Sequence, residues 1–245
     1  MRAKRLAFDA IGALSRAVNP DALARVEKSM HFKALFQKYA IDLIFDVGAN
    51  GGQFATTMRD YGFAGDIFSF EPVVAEFGRL TAAAKGDQKW TPVHCALGSR
   101  EGDQTINIMA DSVFSSFNAP SQAATSAFAQ ENRIVGTEVV KVKRLDQIIA
   151  QYGLTARLPH ALLKCDTQGF DLHVLEGCGD LLTQVRLLQI ETSISKLYDN
   201  APSMIDMLRF LDERGFAPVA FFPVNRLADG SVVEFDYLGV NRRLG

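Results

Sequence analysis

Ile-Asp-Leu-Ile-Phe-Asp-Val-Gly-Ala-Asn-Gly-Gly, Ile41 to Gly52, is the stretch on which the fold turns. Ile41 to Val47 is a short, largely apolar run of strand length. Gly48, Gly51 and Gly52 then turn the chain, and a helical pattern begins near Gln53. A strand that passes through a glycine-rich turn into a helix is the repeating unit of parallel sheets. Glycines at such a turn let the backbone approach a ligand, and the free N–H groups of the next helix favour negative charge. The turn is not the dinucleotide fingerprint G-x-G-x-x-G, because Asn50 holds its third position and Gly51 and Gly52 follow. It lacks the Gly-Lys-Ser/Thr of a phosphate-binding P-loop. Taken alone it reads either as a nucleotide-binding turn or as a structural tight turn.

The same rhythm continues downstream. Asp66 to Phe70, Pro92 to Leu97, Ala161 to Cys165 and Leu187 to Ile190 read as strands buried on both faces. Gln53 to Tyr61, Val74 to Ala84, Asp171 to Glu176 and Ser203 to Arg214 read as helices, closing at or near Gly62, Gly86, Gly177 and Gly215. Their alternation predicts an α/β protein: a parallel sheet with helices on both faces. Between Gly98 and Asp146 the pattern becomes hairpin-like. Thr105 to Met109 and Glu138 to Lys143 flank a Ser-, Ala-, Asn- and Gln-rich stretch, Ala110 to Asn132, read as a lid in which Ser112, Ser115 and Ser116 close over a ligand. An ordinary exposed loop is the alternative. Ala217 to Phe222 and Val232 to Val240 read as an antiparallel pair that finishes the sheet.

Upstream, Leu6, Ala10, Ile11, Leu14 and Val18 recur at helical spacing, with Arg2, Lys4, Arg5 and Arg16 outside the stripe. Such a helix packs across the domain, meets a second copy in a homo-oligomer, or makes peripheral contact with an anionic membrane. After Asn19-Pro20-Asp21, residues Leu23, Val26, Met30, Leu35, Phe36 and Tyr39 continue a second helical pattern. The 245 residues therefore divide into a helical extension, 1–40, and one large domain, 41–245. Asp9, Arg16 and Asn19 interrupt any signal-peptide core, and no run reaches the ~20 apolar residues of a membrane span. Cys95, Cys165 and Cys178 are odd in number, widely spaced and without a C-x-x-C pair, which fits a reduced, cytoplasmic setting. With 26 Lys and Arg against 28 Asp and Glu, the net charge of −2 supplies no attraction for nucleic acid.

Four carboxylates stand at strand ends. Asp46 closes the first strand. Glu71 follows the second in Ser69-Phe70-Glu71-Pro72, where a ribose lies in doubly wound sheets. Asp166 ends Leu163-Lys164-Cys165-Asp166, and Glu191 ends Leu188-Gln189-Ile190-Glu191. Ligands of open parallel sheets bind beyond the carboxyl ends of the strands, so all four point at one crevice. Each also has a local reading: Asp46 capping its turn, Asp166 the next helix, Glu71 a solvated strand end. His94, inside a strand, reads as a core histidine, and His31, His160 and His173 show no partner pattern.

DVGANGG, then FEP, then LLKCDTQGFDLHVLEG with QIE after it and LDQII before it, resemble the FkbM-type methyltransferases, from about Ile41 to the C-terminus. The resemblance implies a Rossmann-like class I methyltransferase fold with a seven-stranded sheet, and S-adenosylmethionine as cofactor. By position, Asp46, Gly48, Ala49, Asn50 and Gly51 would cradle its methionine portion and Glu71, between Phe70 and Pro72, its ribose. Ala96 and Leu97 would flank the adenine, and Asp166 the crevice floor beside the methyl group. Gln168 stands where many members carry Glu, which makes it a poor general base.

Methyl transfer is an in-line displacement, so positioning dominates, and a hydroxyl acceptor also gains from proton removal. Asp166 and Glu191 are the candidate bases, since neighbouring carboxylates and burial raise each other's pKa. Lys164 reads either as electrostatic support or as a structural ion-pair partner. Asp166, Glu191 and a nearby amide could also hold a divalent metal such as Mg²⁺. No Gly-x-Ser-x-Gly elbow marks a hydrolase. The expectation is O-methylation of a hydroxyl on a small-molecule, glycan or lipid-linked acceptor. The alternatives are a nicotinamide-dependent reductase, which lacks its third glycine and a Tyr-x-x-x-Lys pair, and a non-catalytic nucleotide-binding or membrane-associated scaffold.

Overall fold

The computed structural model describes residues 20–121, 128, 130–194, 196–227 and 229–245. The stripe from Leu6 to Val18 lies outside them. The chain divides into two compact units between Ala40 and Ile41. In the first, helix α1 spans Pro20–Tyr39 and opens on the proline, whose missing N–H costs nothing at a helix start. No helix among the described residues is long and apolar enough to cross a membrane.

The second unit is built on a seven-stranded sheet. Its strands are β1 (Leu43–Val47), β2 (Asp66–Phe70), β3 (Trp90–Val93), β7 (Ala161–Cys165), β8 (Leu187–Ser193), β9 (Phe216–Pro223) and β10 (Glu234–Asn241), in the order β3-β2-β1-β7-β8-β10-β9. The first five strands in that order run parallel, and β10 is antiparallel to both β8 and β9. This is the Rossmann-like methyltransferase architecture. Every residue of β1 and β7 is buried, as expected for strands covered on both faces. Helices α2 (Gln53–Asp60), α3 (Val74–Ala83), α5 (Asp171–Glu176) and α6 (Met204–Glu213) connect the strands, with a further α4 at Leu145–Gln151. In α4 Leu145, Ile148 and Ile149 are buried, a helical period that the sequence reading passed over.

Two expectations need correction. The run Pro92 to Leu97 is not one strand: Cys95 N–H turns back to the Val93 carbonyl (3.1 Å), and the chain leaves the main sheet. Ala96–Leu97, β4, then joins β5 (Gly102–Met109) and β6 (Ile134–Lys143) in a separate sheet of order β4-β6-β5. His94, at that break, is exposed rather than in the core. Its ring stacks on Phe77 at 4.5 Å, and Nε2 lies 2.9 Å from the Pro72 carbonyl. The three cysteines are buried and unpaired.

Candidate functional site

The order of the strands reverses between β1 and β7, which opens a crevice at their carboxyl ends. Beneath it a row of polar side chains crosses the sheet inside the core. Trp90 Nε1–H donates to Ser69 Oγ (2.9 Å), Ser69 Oγ–H donates to Asp46 Oδ2 (3.1 Å), and Lys164 Nζ pairs with Asp46 Oδ1 (3.1 Å). Lys164 also donates to the carbonyls of Gly48 (2.9 Å) and Val47 (3.3 Å) and stands 3.7 Å from Asp166 Oδ2. Asp46 is fully buried and Lys164 only 4% exposed. Both lie under the turn rather than in the crevice wall. Of the two readings of Lys164, the geometry fits the ion pair; Asp46 holds its charge and raises its pKa against the opposing effect of burial.

The glycines of the turn answer first to protein neighbours. Gly48 has φ +71°, and a Cβ there would meet the Asp166 carbonyl at 1.9 Å. A Cβ on Gly52, at φ +90°, would meet the Trp90 ring at 2.9 Å. Gly51 is different: its Cβ would find only ordinary contacts, the nearest at 3.5 Å. Asn50, at φ +47°, takes a conformation Asn tolerates better than most residues. Its side chain accepts from Gly51 N–H (2.7 Å) and donates to Ser112 Oγ (3.2 Å).

Glu71 is 5% exposed, and its carboxylate accepts two backbone N–H groups, Asn50 (2.8 Å) and Val73 (2.8 Å). Burial nevertheless pushes its pKa up to about 7, the two amides opposing. A cleft of about 540 Å³ runs past it. Gly48, Asn50, Glu71 and Asp166 line its polar side, and Val73, Ala96, Leu97, Ile106, Phe117 and Phe170 its apolar side. Phe70 and Pro72 line it too; Asp46, Ala49 and Gly51 do not. Ser112, Ser115 and Ser116 close one wall. Ser116 Oγ–H donates to the Gln168 carbonyl (2.7 Å) and Asn118 Nδ2–H to that of Gly169 (3.1 Å), so this part of the expected lid is pinned to the β7–α5 turn. Residues 122–127 and 129 of that expected lid lie outside the described residues.

A second cleft, about 430 Å³, adjoins the first. Asp171, Glu191, Glu234, Lys196 and Tyr198 line it opposite Leu197, Ala201, Pro202 and Met207. Glu191 thus lies apart from Glu71. Burial, then the charges of Asp166, Glu234, Asp236 and Asp171, raise its pKa well above the carboxylate range. Among the described residues only Gln168 lines both clefts. Its Nε2 donates to Asp166 Oδ1 (2.8 Å) and Glu191 Oε2 (3.0 Å), while Oε1 accepts from Tyr198 O–H (2.6 Å). Tyr198, Glu234 and Asp171 were not marked as site residues: Tyr198 and Glu234 stand at no parallel strand end, and Asp171, just after Gly169, reads as the start of the next helix. No group of three or more His, Cys, Asp and Glu among the described residues could hold a metal ion.

Residues 46–218 match the family model described as "Methyltransferase FkbM domain". The chain belongs to the FkbM methyltransferase family. No curated protein matches the methyltransferase. Among solved structures it is similar to Aeropyrum pernix fibrillarin with bound S-adenosyl-L-methionine, at 12% identity and TM-score 0.39 over 81% of this chain and 66% of that one. Methanococcus jannaschii fibrillarin gives 11% and 0.45 over 82% and 66%, and magnesium protoporphyrin IX methyltransferase from Synechocystis PCC 6803 gives 9% and 0.43 over 86% and 79%. The methyltransferase thus spans just under two thirds of the length of either fibrillarin.

S-adenosylmethionine is the methyl donor that the resemblance to this family implies. The donor set of the first cleft fits it. A buried carboxylate, Glu71, suits a pair of ribose hydroxyl donors, and the apolar slot between Ala96, Leu97 and Phe170 suits a purine. Asp166, its side chain 38% exposed, suits an ammonium or sulfonium cation.

Proposed function

We propose that the protein transfers a methyl group to a hydroxyl of a small-molecule, glycan or lipid-linked acceptor, the first cleft taking the cofactor and the second the acceptor. S-adenosylmethionine, when bound, supplies an electrophilic methyl group. In this reading Glu71 accepts from the ribose hydroxyls, Gly48 and Asn50 shape the methionine end, and Ala96 and Leu97 flank the adenine. Asp46 and Lys164 act from below by holding the turn.

The observation that carries the reading is Gln168, shared by both clefts and bonded to a carboxylate in each. It puts Asp166 and Glu191 where two ligands would meet. Asp166, half-exposed in the first cleft and held by the Gln168 amide, is the general base that takes the hydroxyl proton, and Glu191, whose pKa burial and the neighbouring carboxylates raise, stands on the other side of that amide. Three carboxyl groups against one lysine in the second cleft disfavour a phosphate-rich acceptor and support a neutral one.

The test is transfer of labelled methyl from S-adenosylmethionine to a panel of hydroxyl-bearing small molecules, glycans and lipid-linked sugars, with structured RNA alongside. Label on an acceptor oxygen is the expected result. Label on nitrogen, or on RNA alone, would overturn the reading.

A further inference from the structure

The amide of Gln168 is fully committed, and each commitment restricts the others. Tyr198 O–H donates to Oε1, so the amide presents N–H rather than C=O to the two carboxylates. Nε2 carries two hydrogens, and two carboxylates from different strand ends, Asp166 and Glu191, take them. The residue is held at φ +54°, outside the region most side chains prefer, and its carbonyl is tied to Ser116. A strained backbone and four hydrogen bonds aim one amide at the junction of two clefts.

We propose that Gln168 is a positioning residue for the methyl-transfer site: it orients Asp166 toward the acceptor and, by donating to both carboxyl groups, weakens the hold of Glu191 on a proton, with Tyr198 fixing the sense of the amide. The proposal rests on the two-cleft reading above. The groups facing the pair are Lys164 on β7, Asp171 on α5, Glu234 and Asp236 on β10, and Lys196 and Tyr198 in the second cleft. Of the two cations, Lys164 is engaged with Asp46. The amide is the donor that offsets mutual repulsion between the two carboxylates. Without it Glu191 binds a proton more tightly.

The experiment is a pH titration of the Glu191 carboxyl by ¹³C NMR on glutamate-labelled protein saturated with S-adenosylhomocysteine, with the resonance assigned by E191Q. In Q168L the midpoint should rise by about one pH unit, the loss of one charge-assisted donor. Q168E should move it at least as far, and Y198F, which frees the amide to turn, by less. Affinity for S-adenosylhomocysteine is measured for each variant, so that every midpoint is read on saturated protein. A structural role alone would lower the melting temperature and leave the midpoint in place, and a midpoint unmoved in Q168L and Q168E overturns the proposal. If Q168L does not fold, Q168E and Y198F still decide. Shifted midpoints without transfer to any hydroxyl acceptor leave the positioning role standing and remove only the hydroxyl reading.

Discussion

The carbonyl oxygen of Asp166 stands 1.9 Å from the place a Cβ on Gly48 would occupy. The turn after β1 and the turn after β7 are therefore packed backbone against backbone at the point where the sheet reverses. Asp166 N–H also donates to the Val47 carbonyl (3.1 Å), and Lys164 ties Val47, Gly48 and Asp46 from below. The side assigned to the cofactor and the side assigned to chemistry are one rigid piece.

Gly48→Ala should therefore damage both. The new methyl group meets backbone, which cannot swing away, at a positive φ that L residues resist. A loss of about 3–5 kcal/mol is expected from the shift in urea midpoint, with S-adenosylhomocysteine binding lost in parallel. Gly51→Ala is the contrast: stability should change by less than about 1 kcal/mol, since nothing lies nearer than 3.5 Å. Equal losses in the two variants would show that flexibility of the turn, rather than the close approach, is what matters.

Lys164→Met leaves Asp46 buried and unpaired, at an expected cost of about 3–5 kcal/mol. The sign with pH follows from the direction of the shift. A lysine held above its ordinary value of 10.5 contributes stability that is complete below that value and fades only as pH rises through its higher folded one. The deficit of Lys164→Met should thus be constant from pH 6 to 9, by chemical denaturation at each pH. Because neither residue touches a cleft, a double variant Asp46→Leu with Lys164→Met should recover part of the loss.

The sheet was legible because β1, β2 and β7 are apolar runs ending at glycine or carboxylate, and the bounds of β2 and β7 match the sequence reading. What was lost is what depends on distant partners. The break at Cys95 is a backbone turn inside an apolar run, where periodicity carries no signal. In the site, position at a strand end correctly brought Glu71 and Asp166 to the crevice, yet it could not tell a wall residue from one beneath it. Asp46 has the same strand-end placement and is sequestered by Lys164, whose own reading was open until the distances fixed it. Glu191 was expected beside the other three but opens on a second cleft. Gln168, set aside as a base, connects the two through side-chain atoms whose meeting with Tyr198, thirty residues on, no local pattern encodes.

Asp166→Asn and Glu191→Gln separate the two carboxyl groups. If Asp166 is the base, Asp166→Asn should lower kcat by about 10²–10⁴-fold. Glu191→Gln, which keeps an oxygen to accept from the Gln168 amide and leaves Asp166 in place, should cost about tenfold or less. Calorimetry should find S-adenosylhomocysteine bound to both variants within a few-fold of wild type. The measurement is single-turnover methyl transfer to whichever acceptor the panel identifies. The reverse ranking would move the base to Glu191, and undiminished rates in both would take the pair out of the mechanism.

Glu71 gives the last prediction. Its folded pKa, pushed up to about 7 by burial, exceeds the ordinary 4.5, so the folded protein holds a proton that the unfolded chain has released. This group's contribution is largest below about 4.5 and declines as pH rises to about 7. At about 1.4 kcal/mol per pH unit, the decline is about 3 kcal/mol. Ligand-free protein should thus lose urea resistance between pH 5 and 8. Glu71→Gln, whose amide does not titrate, should decline less over the same range. Hydroxyl donors arriving at Glu71 favour its charged form, so S-adenosylhomocysteine binding should release a proton and tighten with pH up to about 7. Calorimetry at pH 6.5 in buffers of different ionisation enthalpy measures that release. A proton count unchanged in Glu71→Gln would mean that the ligand's hydroxyl groups go elsewhere.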